Sequence, residues 1–209
     1  MIDNYRDLTI DKYIELYDLD INGMEEIDIQ ATIISILADM TIDEVLDLPI
    51  SQYKKLASKT AFMTTPPQVK QRKITKVIIE GKEFKVLDSI DKMKTGQYID
   101  YQTYISKGDV KMLPYILSCL VIPKGENYGD SDTVEYMKQM SVEEALTISN
   151  FFMNKSRTLT KATLRYLEWM MKMKMKKTKD ETLKMKMMEA IQNLHSLQSS
   201  LKNGDGFHL

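Results

Sequence analysis

His195, His208 and Cys119 are the side chains from which a nucleophile, a base or a metal site would most readily be built, and their spacing builds none. Both histidines fall in the last fifteen residues of a 209-residue chain, far from the only cysteine. That separation does not make a metal-ligand set. One cysteine forms no intrachain disulfide, and Cys119 sits in the most apolar run of the chain, so its predicted role is that of a small buried hydrophobe. Asp130 and Asp132 begin an oxygen-ligand pattern, but the later ligands of a calcium loop are missing, and PKGENYGDSD reads as a surface loop. The pairs Glu25-Glu26 and Glu143-Glu144 lie at helix starts, where the helix dipole accounts for them. None of the eight glycines forms a phosphate-cradling GxGxxG or GxxxxGK pattern. Catalysis needs convergent groups, and none converge in this inventory. The expectation is a protein that is not an enzyme and needs no cofactor or metal.

Binding chemistry is better represented. Seven of the 16 methionines lie between Met170 and Met188, in MMKMKMKKTKDETLKMKMMEAI. Methionine is flexible and polarizable, so such a run reads either as an adaptable binding surface or as core filler. From Met187, Ala190, Leu194, Leu197 and Leu201 follow a three-four alternation, the seam of a coiled coil or of a helix docked on a partner. Met171, Met175, Met187, Leu194, Leu197 and Leu201, with Lys172, Lys174, Lys176 and Lys177, are the candidate partner-binding residues. The lysines and arginines Lys155, Arg157, Lys161, Arg165, Lys172, Lys174, Lys176, Lys177 and Lys179 also suit a phosphate-contacting helix, which keeps nucleic acid open as a partner. Lysine dominates over arginine and no base-reading signature accompanies it, which favours a solvated basic face.

The elements that must position these residues are mostly helical. With 43% hydrophobic and 28% charged residues, and only 8 Gly and 5 Pro, the composition is that of a folded, helix-rich protein. The predicted fold class is mainly α (α+β): helices, one β-hairpin over residues 74–87, and long C-terminal helices. In the hairpin Ile74, Val77, Ile78, Ile79, Phe84, Val86 and Leu87 supply strand-forming side chains, and Gly81-Lys82 supplies the turn. Two apolar helical segments follow, one opened by Thr95-Gly96 and one over Leu113 to Ile122. Ile78, Phe84, Tyr98, Ile116, Leu117, Leu120 and Phe152 are the predicted core, because a lone hairpin needs helices on its apolar face. Capping boxes at Thr41-x-x-Glu44, Ser141-x-x-Glu144 and Thr178-x-x-Glu181 mark helix starts. The second helix is expected to end near Asn154, with a new one from Leu159 or Thr160. The paired prolines Pro66 and Pro67 break the chain. Three parts result: an acidic N-terminal helical subdomain (1–64), a hairpin-plus-helices core (73–155) and a basic, Met-rich helical extension (156–209).

Charge follows the same division. Residues 1–50 carry 13 acidic and 2 basic side chains, a net of −11, whereas residues 155–209 carry 12 basic and 5 acidic, a net of +7. The longest apolar run is about half of the roughly 20 residues that span a bilayer, so no membrane span is expected. The acidic N-terminus lacks a secretory layout, and a cytoplasmic protein is expected.

One family resemblance crosses the middle of the chain. The stretches ITKVIIEGKEFKVLDSIDKMKTGQYIDYQTYI, LPYILSCLVIPKGENYGDSD and MSVEEALTISNFFMN, in that order, resemble small structural or assembly proteins of tailed phages of Bacteroidetes hosts, including crAss-like phages. The resemblance covers Lys73 to Lys155, with a weaker echo in Ile10 to Phe62, and the Met-Lys extension lies outside it. It implies a non-enzymatic virion or virion-assembly protein, similar to tail assembly chaperones or to proteins of the tail or head-tail (portal/collar) region. The implied partners are other virion proteins or further copies of the chain in a ring, within the virion or in the host cytoplasm during assembly. The alternative is a phage accessory protein that binds nucleic acid through the basic C-terminal helices.

Overall fold

A computed structural model describes residues 1–67, 72–178 and 180–203, with the backbone alone for 155–163, 166, 169, 177 and 197–203. The fold is mainly α with a small antiparallel sheet, as the composition predicts. Two compact units divide the chain, Met1–Phe151 and Phe152–Leu209.

Unit 1 begins with four helices: α1 (Ile10–Tyr17), α2 (Glu26–Ala38), α3 (Ile42–Leu46) and α4 (Ile50–Lys59). Their ends are made by local chemistry. At α3 the capping box forms in full: the Thr41 N–H donates to Glu44 Oε2 at 2.7 Å and the Glu44 N–H donates to Thr41 Oγ1 at 3.2 Å. That bonding holds the Glu44 carboxyl below its ordinary range. Helix α2 stops at Asp39, whose φ of 54° is left-handed, and the Asp39 carboxylate accepts from Lys12 Nζ of α1 at 2.6 Å. Ala31, Ile34 and Val45 form a buried cluster, with Tyr53, Leu56 and Ala57 of α4 packed against it.

The sheet has the order β1 (Lys76–Ile79), β2 (Lys82–Val86), β3 (Val121–Pro123), all antiparallel. The hairpin turn falls on Glu80-Gly81, one residue earlier than predicted, with φ of 48° and 78° at the two positions. Two consecutive left-handed residues match the right-handed twist of the strands, and glycine suits the second. Alternation then decides the faces. Val77, Ile79, Phe84 and Val86 are buried, while Ile78 is 68% exposed. Ile78 therefore leaves the predicted core, because its neighbours on both sides face inward and side chains alternate along a strand. The apolar run Leu113 to Ile122 is divided as well: α6 (Leu113–Ser118) ends before Cys119, and Val121–Pro123 pairs with β2 instead of extending the helix.

Helix α5 (Thr95–Ser106) packs on α6, and α6 on α7 (Val134–Lys138). Tyr98 is 41% exposed on α5, so it too falls outside the predicted core, and Tyr101 and Gln97 are the residues that α5 buries. Phe84, Ile116, Leu117, Leu120 and Phe152 are buried as predicted. Phe84 meets Tyr136 of α7 with ring centroids 5.4 Å apart, and the Lys82 ammonium lies 5.3 Å from the Tyr136 ring centroid.

Unit 1 joins two segments that the sequence reading separates. The Ile10 N–H donates to Met140 O at 3.0 Å, the Val142 N–H to Leu8 O at 2.8 Å, and Thr9 forms an isolated bridge with Ser141. These bonds tie the start of α1 to Met140, Ser141 and Val142, and the acidic helices belong to the same compact unit as the hairpin. The last helices are α8 (Val142–Lys177) and α9 (Glu181–Asn203). Helix α8 is continuous where two helices were expected. Ser141 starts it, accepting from the Glu144 N–H at 3.2 Å, and nothing in Asn154 to Thr160 is a helix breaker strong enough to end it.

Candidate partner-binding surface

The chemistry-bearing residues of unit 1 are held in structural roles. Cys119 is buried, and burial pushes its thiol up to about 11, so at neutral pH it is a protonated thiol without nucleophilic character. Its sulfur lies 3.7 Å from the Tyr128 hydroxyl, which donates to Asp100 Oδ2 at 2.8 Å. Burial and the bond to Asp100 raise the Tyr128 hydroxyl too, so the thiol and the phenol both keep their protons at neutral pH. The Gln97 amide completes the anchorage, donating to Cys119 O at 2.6 Å and accepting from the Lys94 N–H. Asp130 accepts from the Asn127 N–H at 2.7 Å and Asp132 from the Val134 N–H at 3.0 Å, so both carboxylates shape the loop and its exit. Among the described residues no three His, Cys, Asp or Glu side chains gather at a metal-binding distance. His208 lies outside the described residues.

Unit 2 presents the other kind of site. Twenty-seven residues separate Glu168 on α8 from His195 on α9, about 40 Å along a continuous helix, yet Glu168 Oε1 and His195 Nε2 are 3.0 Å apart. The chain therefore reverses between α8 and α9, and the helices pair antiparallel. Asp180, not Thr178, caps α9: its Oδ1 accepts from the Thr182 N–H at 2.9 Å and the Leu183 N–H at 3.1 Å. Lys172 also donates to Glu168 Oε1. Hydrogen bonds from Lys172 and then His195 hold the Glu168 carboxyl at about 2, well below its ordinary range.

That ion cluster fixes which face is which. His195 shares a stripe with Ile191, four residues earlier, and Glu168 shares one with Leu164; both apolar partners are buried. Met187 and Leu194 on α9, and Met171 and Met175 on α8, are half-buried at neighbouring positions of the same stripes. The described part of the predicted seam, Met187, Ala190 and Leu194, thus faces inward between the paired helices. Lys172, Lys174 and Lys176 are exposed, as is Arg165. The side chains of Lys155, Arg157, Lys161, Lys177, Leu197 and Leu201 lie outside the described residues, as does Lys179 altogether.

Other residues take the outward position. On α9 Met185 is 65% and Met188 53% exposed, with Leu183 exposed just before them, and on α8 Met173 is exposed. Among the described residues Lys174, Lys176 and Lys186 make no ion pair. The outward side of α9 is apolar and flexible at Met185 and Met188, which flank Lys186 in sequence, and that of α8 carries Met173 between Lys172 and Lys174. Composition announces them, but separating outward from inward methionines requires the helix pairing, which depends on a contact 27 residues apart.

The fold class is defined by these elements: a mainly helical protein with a three-stranded antiparallel sheet and a C-terminal helical pair. No family model, no curated protein and no solved structure matches the chain. Among the described residues no helix is long and apolar enough to cross a membrane.

Proposed function

We propose that this chain is a non-enzymatic virion or virion-assembly protein of a tailed phage of Bacteroidetes hosts, working through protein–protein contacts at the tail or head-tail region. One observation carries the contact reading: Met173, Met185 and Met188 are exposed on paired helices that also carry Lys174, Lys176 and Lys186, which make no ion pair among the described residues, whereas Cys119 is buried. Flexible thioether side chains on a rigid helical support adapt to a partner surface at low conformational cost. The phage assignment rests on the resemblance between Lys73 and Lys155. Mass spectrometry of purified particles of the encoding phage tests it. Stoichiometric presence supports a virion component, and presence only in assembly intermediates supports a chaperone. Absence from both overturns the reading.

Lys174, Lys176 and Lys186 favour a second reading, in which the basic helices bind nucleic acid. A titration with duplex DNA separates the two: phosphate binding weakens linearly in log Kd with log salt.

A further inference from the structure

A second surface on the chain has the chemistry to receive the first. Ile42 and Leu46, four residues apart on α3, are both exposed, and Ile50 opens α4 with 68% exposure. Asp43 and Asp47 follow one residue behind the first two along the same short segment, and both are exposed. Neither makes an ion pair among the described residues; the acidic groups of residues 1–50 that do are Asp3, Asp18 and Asp39. This segment is therefore an apolar strip with an acidic border, whereas α8 and α9 carry exposed methionines interleaved in sequence with exposed lysines.

We infer that the chain binds a second copy of itself head to tail, the acid-bordered Ile42–Ile50 segment of one copy receiving the lysine- and methionine-bearing helices α8 and α9 of another. Charge selects this occupant. Pairing two methionine surfaces would set lysine against lysine, and pairing two α3 segments would set aspartate against aspartate; like charges brought together oppose both. Nucleic acid would satisfy the lysines but would be repelled by a segment of net −11 on the same molecule. Only the unlike pairing satisfies both borders, and such a contact is heterologous, leaving one free acidic and one free basic surface for further copies. The charges set orientation and encounter rate, and the buried methionine, isoleucine and leucine side chains set the lifetime.

Analytical ultracentrifugation of the isolated full-length chain tests the contact without reference to any phage, so its outcome is separate from that of the virion reading. The wild type is expected to self-associate with concentration, and to dissociate as salt rises and the Debye length falls from about 10 Å at 0.1 M to about 3 Å at 1 M. D43K/D47K and K174E/K176E are each expected to weaken self-association at least about tenfold. Mixed in equal amounts they are expected to associate again, since each then offers the surface the other lacks. M185S/M188S, which leaves all charges in place, is expected to weaken association as well. Circular dichroism confirms that every variant is folded. Three results overturn the proposal: a monomer at all concentrations, association unaffected by either charge reversal, or a mixture of the reversed variants that stays monomeric.

Discussion

Phe84 is the side chain on which unit 1 depends most visibly, and truncating it to alanine has a calculable cost. It is fully buried on the central strand, opposite Val77 on one side and Pro123 on the other, with Tyr136 at 5.4 Å. Removing a buried phenyl ring loses its transfer free energy and leaves a cavity, together about 3–5 kcal/mol. The aromatic pair contributes about 0.5–1.5 kcal/mol of coupling, separable by a double-mutant cycle of F84L, Y136L and the double variant. F84L keeps most of the volume and should cost less than about 1.5 kcal/mol. For a unit of roughly this size about 2–4 °C accompanies each kcal/mol, so F84A should lower the melting temperature by about 6–20 °C in calorimetry of the full chain. A loss under about 1 kcal/mol, or equal losses for F84A and F84L, would refute the packing argument.

Three further outcomes follow from individual groups. Tyr101 is fully buried and its hydroxyl has no partner among the described residues, so Y101F should stabilise the protein by about 1 kcal/mol in urea unfolding, and destabilisation would reveal a hydrogen bond to water. Glu80 holds a left-handed φ of 48° in the hairpin turn, so E80N, the residue type such turns favour, should gain about 0.5–1 kcal/mol, and a loss would argue for a role of the glutamate side chain. The Glu168 carboxyl ionises more readily in the folded chain than in the unfolded one, so its contribution is present at neutral pH and is lost as pH falls from its ordinary value of 4.5 to about 2. The stability difference between wild type and E168Q should shrink over that window and not above it. A difference that is constant with pH would contradict the ion cluster. Glu44, Asp88 and Glu126 are lowered in the same sense, so E168Q should remove only part of the acid sensitivity.

Local signals were legible wherever one segment settles its own structure. Thr41 and Glu44 are three residues apart and cap α3 as their types require, and the hairpin declares itself by β-branched residues on either side of Gly81. Parity was harder: Ile78 is as apolar as Val77 and Ile79, so composition could not say which side of β1 faces the core. The short strand Val121–Pro123 was hidden in an apolar run because three residues carry no period, and only pairing with β2 makes them a strand. The bond between Tyr128 and Asp100 spans 28 residues and leaves no trace in spacing. For the same reason the methionines were visible as a class while their sides were not. Met187 and Met188 are sequence neighbours, one half-buried and one exposed, and the difference is set by His195 reaching Glu168.

Amide hydrogen exchange of the full-length chain, compared at low and high protein concentration, tests most directly the claim that this protein works by contact. Docked helices open less often, so exchange slows where a surface is covered. The account predicts that peptides covering residues 42–50 and 173–188 gain protection together as concentration rises, and that D43K/D47K abolishes both changes. Protection that changes in neither segment, or only in the strands at 76–86 and 121–123, would contradict it.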